Sequence, residues 1–219
     1  TGQNAWSLRG QGNYWSDYSG SDRNADGIGD SPYSIAPNGT DGFPLVAPRQ
    51  ITPAMVPHLG RAALPSIWAP DATIGTTEIW KDTTVAKGRI TVRGGGTLII
   101  TNTTVEVGGV GGGGVGHISV EPGGSMYIFN STIRALDERY GGYTFFVVLA
   151  KNFVMKNSIV TQSGFSFQTD YPGGFSLLGT NATIENNIFT HNYRGLWVSS
   201  QLGMVPAPPV VTIANNRIS

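Results

Sequence analysis

The chain has 219 residues, with 31 glycines, 13 prolines and no cysteine, and its 14 basic residues balance its 14 acidic residues. A net charge of zero gives no electrostatic basis for binding nucleic acid or an anionic membrane, and the lack of cysteine excludes disulfides and thiol chemistry. Since the sequence contains no run of about 18 apolar residues, it predicts no membrane-spanning segment.

Residues 1–46 form a first unit rich in Gly, Asp, Asn and aromatic residues, and this unit contains a candidate metal loop, DRNADGIGD. Oxygen-bearing side chains alternate along the loop, a glycine lies where a calcium loop turns sharply, and a backbone carbonyl follows it. The predicted Ca²⁺ ligands are Asp22, Asn24, Asp26, Ile28 through its carbonyl, and Asp30. Hard oxygen donors at this spacing suit Ca²⁺. Tyr33 stands where an EF-hand has its bidentate Glu, so water, Asp17 or Asp41 would complete the site. The alternative is an Asx-rich turn without metal.

Residues 47–76 show no hydrophobic periodicity and contain five prolines, which predicts an ordered linker. The pattern changes at Thr77, where we expect a solenoid to begin and to continue to residue 219. Within it, the glycine-rich segment VGGVGGGGVG of residues 107–116 predicts a flexible surface loop.

The solenoid is predicted from a repeated sequence pattern. LIITNTTVEV at residues 98–107 recurs as MYIFNSTIRA, FVMKNSIVTQ, ATIENNIFTH and VTIANNRIS, with the aligned asparagines 27 to 29 residues apart. The apolar residues alternate with a period of two, so the repeats are built from strands. Three short strands in each repeat favour an all-β, right-handed parallel β-helix of about five coils over a propeller or a leucine-rich repeat. The last repeat stops at Ser219, which predicts a truncated coil with an open strand edge.

The repeated asparagines predict a polar ladder at one bend of the coils. An inward-facing Asn can bond its counterpart in the next coil and can adopt the left-handed backbone conformation of a bend. The predicted ladder residues are Asn102, Asn130, Asn157, Asn186 and Asn215. Two of the four Asn-x-Ser/Thr sequons, at Asn102 and Asn130, fall in this ladder. This leaves Asn38 and Asn181 as the possible glycosylation sites.

Other side chains give weaker signals. Asp137, Glu138 and Arg139 form the one cluster of charged residues in the solenoid, for which a solvated loop is the favoured interpretation. Four aromatic residues are candidates for stacking on sugars, although each also suits ordinary packing: Tyr140, Tyr143, Tyr193 and Trp197. The three histidines, His58, His117 and His191, are scattered, which gives little support for copper binding.

The segment GNYWSDYSGSDRNADGIGDSPY, followed by DGFPLV, resembles the C-terminal signature of NosD-type and related cell-surface parallel β-helix proteins. In that family the signature follows the last coil. The resemblance therefore implies that residues 1–46 cap the end of a preceding β-helix, and that the chain is a slice of a longer protein.

These patterns lead to one favoured function and several alternatives. We expect a non-catalytic, calcium-stabilised structural module of an extracellular or surface-layer protein, which associates head-to-tail with neighbouring repeats or subunits. The alternative is a β-helix that binds polysaccharides or cleaves them as a lyase or hydrolase, for which two or three carboxylates on one strand face would be needed.

Overall fold

The structure is a computed structural model that describes residues 4–7, 10–35, 39–48, 68–109, 116–137, 142–164, 174–193, 195–199 and 210–219. These residues form strands, turns and bends, and none of them lies in a helix. The N-terminal unit contains β1 (Asn4–Ala5), β2 (Tyr14–Trp15), β3 (Tyr33–Ile35) and β4 (Gly39–Asp41).

The repeated region contributes eighteen further strands in those ranges, three in each coil. The first nine are β5 (Ala72–Ile74), β6 (Thr77–Lys81), β7 (Thr84–Lys87), β8 (Arg89–Val92), β9 (Thr97–Thr101), β10 (Thr104–Val107), β11 (Gly116–Val120), β12 (Ser125–Phe129) and β13 (Thr132–Ala135). The remaining nine are β14 (Tyr143–Val148), β15 (Asn152–Lys156), β16 (Ile159–Thr161), β17 (Phe175–Leu178), β18 (Ala182–Glu185), β19 (Ile188–Thr190), β20 (Leu196–Ser199), β21 (Val211–Ala214) and β22 (Arg217–Ile218).

Three parallel sheets run along the molecule, and each coil adds one strand to each of them. Two sheets have seven strands, in the orders β1-β21-β18-β15-β12-β9-β6 and β2-β22-β19-β16-β13-β10-β7. The third has six strands, in the order β20-β17-β14-β11-β8-β5, and β3 and β4 form a separate antiparallel pair. Strands one period apart in the sequence are therefore neighbours in space, which confirms the predicted parallel β-solenoid.

The interior of the solenoid is formed by the apolar residues of each alternation. In β9 the inward residues Leu98 and Ile100 are fully buried, and the strand register stacks them on Met126 and Ile128 of the next coil. Further along, Phe175 lies between Phe145 and Phe189, at ring-centroid distances of 4.6 and 5.6 Å. Each coil thus buries its apolar face against the coils on either side, which is the main stabilising contribution in such a fold.

The first coil begins earlier than the sequence pattern predicts. Residues Ala72–Ile74, which fall inside the predicted linker, form β5 and pair with β8. Trp68 also contacts the first coils, because its backbone forms an antiparallel bridge with Gly109. The pairing partner of this segment lies later in the chain, so local periodicity does not show it.

The N-terminal unit lies at the far end of the same solenoid. β1 pairs in parallel with β21, and β2 pairs in parallel with β22. The strand edge at residues 217–218, expected to be open, is thus covered, and residues 4–48 stack on the last coil of this chain. The sequence had instead suggested the end of a preceding β-helix. We call residues 4–48 the cap and residues 211–219 the terminal coil.

Candidate functional site

The C-terminal half of the candidate metal loop is held by the backbone of the cap. The Gly29 amide donates to the Pro44 carbonyl at 2.7 Å, and the Val46 amide donates to the Gly27 carbonyl at 3.2 Å. The loop reverses at Ala25 and Gly27, whose φ angles of 57° and 84° lie in the left-handed region. Glycine adopts this conformation without steric cost, which explains its position in the loop.

Three of the predicted ligands bond amide groups of the loop itself. Asp22 accepts from the amides of Asp26, at 3.2 Å, and Gly27, at 2.9 Å. Asp26 accepts from the Ile28 amide at 2.8 Å and from the Asn24 side-chain amide at 2.9 Å. Asn24 accepts from the Asp26 amide at 3.3 Å, and this bond and the bond from Asp26 to the Ile28 amide are Asx turns. The carboxylate oxygens retain further lone pairs for a cation.

The other predicted ligands are placed differently. Asp30 accepts from the Arg23 amide at 3.0 Å and from the Ser21 hydroxyl at 3.3 Å, while the Ile28 backbone forms an antiparallel bridge with Leu45. In the part of the chain that the structure describes, no three His, Cys, Asp or Glu side chains are grouped closely enough to hold a metal ion. The oxygen donors fit Ca²⁺ in kind, and an amide oxygen and a carbonyl would have to supplement the carboxylates.

The two acids considered for completing the loop have other partners. Both oxygens of Asp17 accept from the Tyr33 hydroxyl at 3.0 Å. Partial burial and this bond to a carboxylate raise the pKa of Tyr33. Asp41 is fully buried within the cap and accepts from the Asn13 amide at 2.7 Å and the Trp15 indole at 3.0 Å.

Asn13 and Asp41 are the polar centre of the cap, a role that the sequence pattern did not indicate for either residue. The Asn13 side chain donates to the Trp6 carbonyl at 2.8 Å and to the Ile213 carbonyl of the terminal coil at 3.1 Å. Gly12 is required beside them, because a Cβ there would collide with the Asp41 carboxylate. The motifs GNYW and DGFP contain these residues. The sequence shows both motifs, but it does not show that Asn13 and Asp41 contact each other.

The predicted asparagine ladder is displaced by one residue in the structure. The five repeated asparagines occupy the bends, with φ between 49° and 58°. None of the five is fully buried, and Asn102 bonds Asp82 at 3.0 Å. The buried stack consists of the residue that follows each of them: Thr103, Ser131, Ser158, Asn187 and Asn216, with Asn13 of the cap as its next member.

Each residue of this buried ladder satisfies the backbone of the preceding coil. The Thr103 amide donates to the Ser131 hydroxyl, and the Ser131 amide donates to the Ser158 hydroxyl, both at 3.1 Å. The Ser158 amide donates to the Asn187 side-chain oxygen at 2.9 Å, and the Asn187 amide donates to that of Asn216 at 2.8 Å. The ladder continues into the cap, because the amide of Asn216 donates to the side-chain oxygen of Asn13 at 3.1 Å.

An aromatic cluster packs between the terminal coil and the metal loop. Trp6 and Trp15 have ring centroids 5.9 Å apart, and Trp15 stacks on Tyr33 at 4.6 Å. Tyr18 meets Tyr33 edge-on at 6.2 Å. Because Trp6 and Trp15 also pack against the hydrophobic core, this cluster links the loop to the solenoid interior.

The remaining candidates are not gathered into one site among the described residues. Tyr143 is fully buried, and its hydroxyl donates to the Ile133 carbonyl at 3.1 Å, so it is a core residue and not a sugar-stacking surface. Burial raises its pKa well above the ordinary value. Asp137 is buried, Tyr193 is half exposed and Trp197 is partly buried. The other predicted members of these groups lie outside the described residues: His58, Glu138, Arg139 and Tyr140.

The two described histidines lie apart from the metal loop. His117 pairs with Arg89 on neighbouring strands, and partial burial followed by the positive charge of Arg89 lowers the pKa of His117, while Asp71 opposes the shift. His191 lies at a bend, and its Nδ1 is 3.0 Å from the Thr190 hydroxyl.

The two possible glycosylation sites differ in what the structure shows. Asn38 lies outside the described residues. Asn181 is exposed at a bend before β18, and its side-chain oxygen accepts from the Val210 amide at 2.9 Å.

The fold and the cap place the chain among parallel β-solenoid proteins. A 28-residue stretch, 13% of this chain, is 68% identical to the probable ABC transporter binding protein NosD of Stutzerimonas stutzeri, and the match spans 6% of that protein's length. Together with the solenoid, this short match is consistent with a NosD-like parallel β-helix. No family profile matches the sequence, and no solved structure matches it. Among the described residues there is no helix of the length and hydrophobicity needed to cross a membrane.

Proposed function

We propose that the chain is a non-catalytic structural module of an extracellular or surface-layer protein, in which a calcium-binding cap stabilises the end of a parallel β-helix. The observation that carries this proposal is the ladder of buried polar residues that runs from Thr103 through Asn216 to Asn13 and ends at Asp41. These polar groups bond one another and the backbone, so they serve to hold coils in register.

Calcium has a defined place in this proposal. Asp22, Asn24, Asp26 and Asp30 would hold the ion, with the Ile28 carbonyl as a further donor, and the ion would offset the repulsion between the carboxylates. The loop is bonded to Pro44 and Val46, which lie in the segment that pairs with the edge of β2 through Leu45. Ordering the loop would therefore fasten the segment that flanks β2, the strand that pairs with the terminal coil.

An extracellular or cell-surface location and head-to-tail association with neighbours belong to the same proposal. Support for them comes from the resemblance of the cap to surface β-helix proteins and from the oxygen-rich loop, a type of site that extracellular modules use for calcium. Glycosylation at Asn38 or Asn181 would agree with this location.

Metal analysis and thermal unfolding with and without a chelator test the proposal. At a free calcium concentration one hundred times the Kd, linkage predicts about 2.7 kcal/mol of added stability, or a Tm higher by roughly 5–10 °C. The double variant Asp22→Asn/Asp26→Asn should lose this increase. The matched control Asp17→Asn, whose carboxylate bonds Tyr33 outside the loop, should keep it.

Two results would contradict the calcium proposal. One is identical unfolding in calcium and in chelator with no metal bound to the purified protein. The other is stoichiometric copper in place of calcium, which would favour a metal-handling function.

A further inference from the structure

The cap joins the terminal coil through the same contacts that join one coil to the next. Strands β1 and β2 add to β21 and β22 in parallel register. Next to these pairs, the Tyr14 amide donates to the Asn216 carbonyl at 3.0 Å, and the Asn215 amide donates to the Gly12 carbonyl at 3.0 Å. Main-chain pairing of this kind supplies affinity in strand-addition complexes.

Two side chains make the joint specific for this cap. Asn13 extends the buried ladder: its side-chain oxygen accepts from the backbone and side-chain amides of Asn216, both at 3.1 Å, and its own amide donates to Ile213. Trp6 is only 7% exposed and belongs to the hydrophobic core cluster of the solenoid. A segment without an Asn and a Trp at these positions would leave buried polar groups unpaired and the core end open.

A long segment connects the cap to the first coil of the solenoid. Nineteen residues, 49–67, lie between the cap and Trp68. Twenty Cα steps reach at most about 66–72 Å when extended. Six strand spacings separate β1 from β6 in their sheet, a distance of about 29 Å. The connection is therefore long enough for the cap to reach the terminal coil of its own chain.

The donor and the acceptor are different surfaces at this joint. The cap supplies β1 and β2, and the terminal coil supplies β21 and β22, so a cap that leaves its own coil can fit the coil of another copy with the same contacts. A one-way contact of this kind leaves one donor and one acceptor free and propagates head-to-tail, whereas reciprocal exchange between two copies closes a dimer.

We propose that the terminal coil is a docking site for the cap of a second copy of this chain. In the structure the chain's own cap occupies the site, and exchange of caps links copies into head-to-tail chains. This inference rests on the head-to-tail association in the proposed function, for which it names the partner and the surface. It does not depend on calcium binding.

Shortening the connection tests the proposal in the full chain. Deletion of residues 50–63 leaves five residues between Pro48 and Trp68. Six Cα steps then reach about 20–22 Å, too short for a cap to reach its own terminal coil. Light scattering after gel filtration should show dimers and longer chains for this variant. A control in which Gly and Ser replace the same fourteen residues keeps the native reach, so it should be mainly monomeric at low micromolar concentration and associate as the concentration is raised.

A second test substitutes a residue that forms the contact between the cap and the terminal coil. Adding Asn13→Ala to the shortened chain should lower the association constant at least tenfold, whereas adding the exposed substitution Arg23→Ala should leave it unchanged. A folded shortened chain that stays monomeric at all concentrations up to 1 mM would overturn the proposal.

A cleavage experiment decides the question where the shortened chain fails to fold. A protease site is inserted at the centre of the Gly/Ser connection, and the folded protein is cut and mixed with an isotope-labelled, uncut copy. Native mass spectrometry should show the cut cap retained and exchanged between copies. Release of the cap from a solenoid that keeps its β-sheet circular dichroism would overturn the proposal. If the protein is insensitive to chelator and still exchanges caps, the calcium proposal is contradicted and the docking proposal is supported.

Discussion

At the scale of single residues, the bends of the solenoid divide two tasks between adjacent positions. Asn157 adopts a φ of 53° and is exposed, while the next residue, Ser158, is fully buried in the ladder. The Ser158 hydroxyl accepts from the Ser131 amide at 3.1 Å and donates to the Lys156 carbonyl at 2.9 Å. Conformation at the bend is thus the task of the first residue, and polar satisfaction is the task of the second.

Substitutions at this adjacent pair should have different effects on stability. Ser158→Ala removes the acceptor of a buried amide and should cost about 1–3 kcal/mol in the free energy of unfolding. Asn157→Gly keeps a residue that tolerates positive φ and should change it by less than about 1 kcal/mol. Urea denaturation of both variants measures the difference. A larger loss of unfolding free energy for Asn157→Gly than for Ser158→Ala would contradict this assignment and indicate that the asparagines form the ladder.

Sequence could predict the bends and could not predict the ladder register. The bend residue is Asn in five copies because few other residues accept the left-handed conformation. The ladder position holds Thr103, Ser131, Ser158, Asn187 or Asn216, since a hydroxyl and an amide oxygen both accept the hydrogen bond from the preceding coil. The same residue type recurs at the bend position, whereas at the ladder position only the ability to form the hydrogen bond recurs.

At the scale of elements, the strands stack their inward residues into continuous columns. Phe175 is fully buried in β17 and lies within 4.6–5.6 Å, between ring centroids, of three other phenylalanines. These rings come from three other strands in two adjacent coils: Phe145 and Phe153 lie in the preceding coil, and Phe189 lies in the same coil as Phe175. A cavity at Phe175 would therefore remove packing contacts from two coils together.

Phe175→Ala should reduce the free energy of unfolding by about 3–5 kcal/mol, because it removes a buried ring and leaves a cavity that β-sheet walls fill poorly. Val210 is the matched control, since its side chain is 62% exposed next to a strand. Val210→Ala should change stability by less than about 0.5 kcal/mol. Equal effects of the two substitutions in denaturant titrations would contradict the packing described for the column.

The element pattern was largely predictable where alternation is long. The alternating residues 97–101 and 125–129 became β9 and β12 with the expected faces inward. β5 was missed, because three residues in a proline-containing stretch give too little periodicity and its partner, β8, lies elsewhere in the sequence. Tyr143 was considered as a surface aromatic, and its burial follows from a strand that begins at that residue.

At the scale of the whole molecule, the order of units in the chain and their order in space differ. The cap comes first in the sequence and completes the last coil in space, through β1 on β21 and β2 on β22. The sequence motif predicted a cap for the end of a preceding β-helix, whereas in the structure the cap pairs with the last coil of this chain. Strand pairing between distant residues leaves no local pattern in the sequence. The metal loop was likewise predicted as a set of donors, and its internal hydrogen bonds appear only in three dimensions.

The central claim is that residues 4–48 cover the terminal coil of the same chain, and a designed disulfide tests it most directly. The register places Tyr14 opposite Arg217 on paired strands. Paired Cα atoms about 5 Å apart allow a disulfide, and the absence of native cysteine leaves no competing thiol. The control pair, Tyr14→Cys with Thr132→Cys, lies in the same column of side chains four strand spacings apart, or about 19 Å.

We expect Tyr14→Cys/Arg217→Cys, oxidised at low micromolar concentration, to form one intramolecular disulfide in a monomer, detected as a loss of about two mass units without a change in gel-filtration volume. The control pair should keep both thiols free. Free thiols in both double variants, in a protein that retains its β-sheet circular dichroism, would contradict the closure of the solenoid by its own first residues.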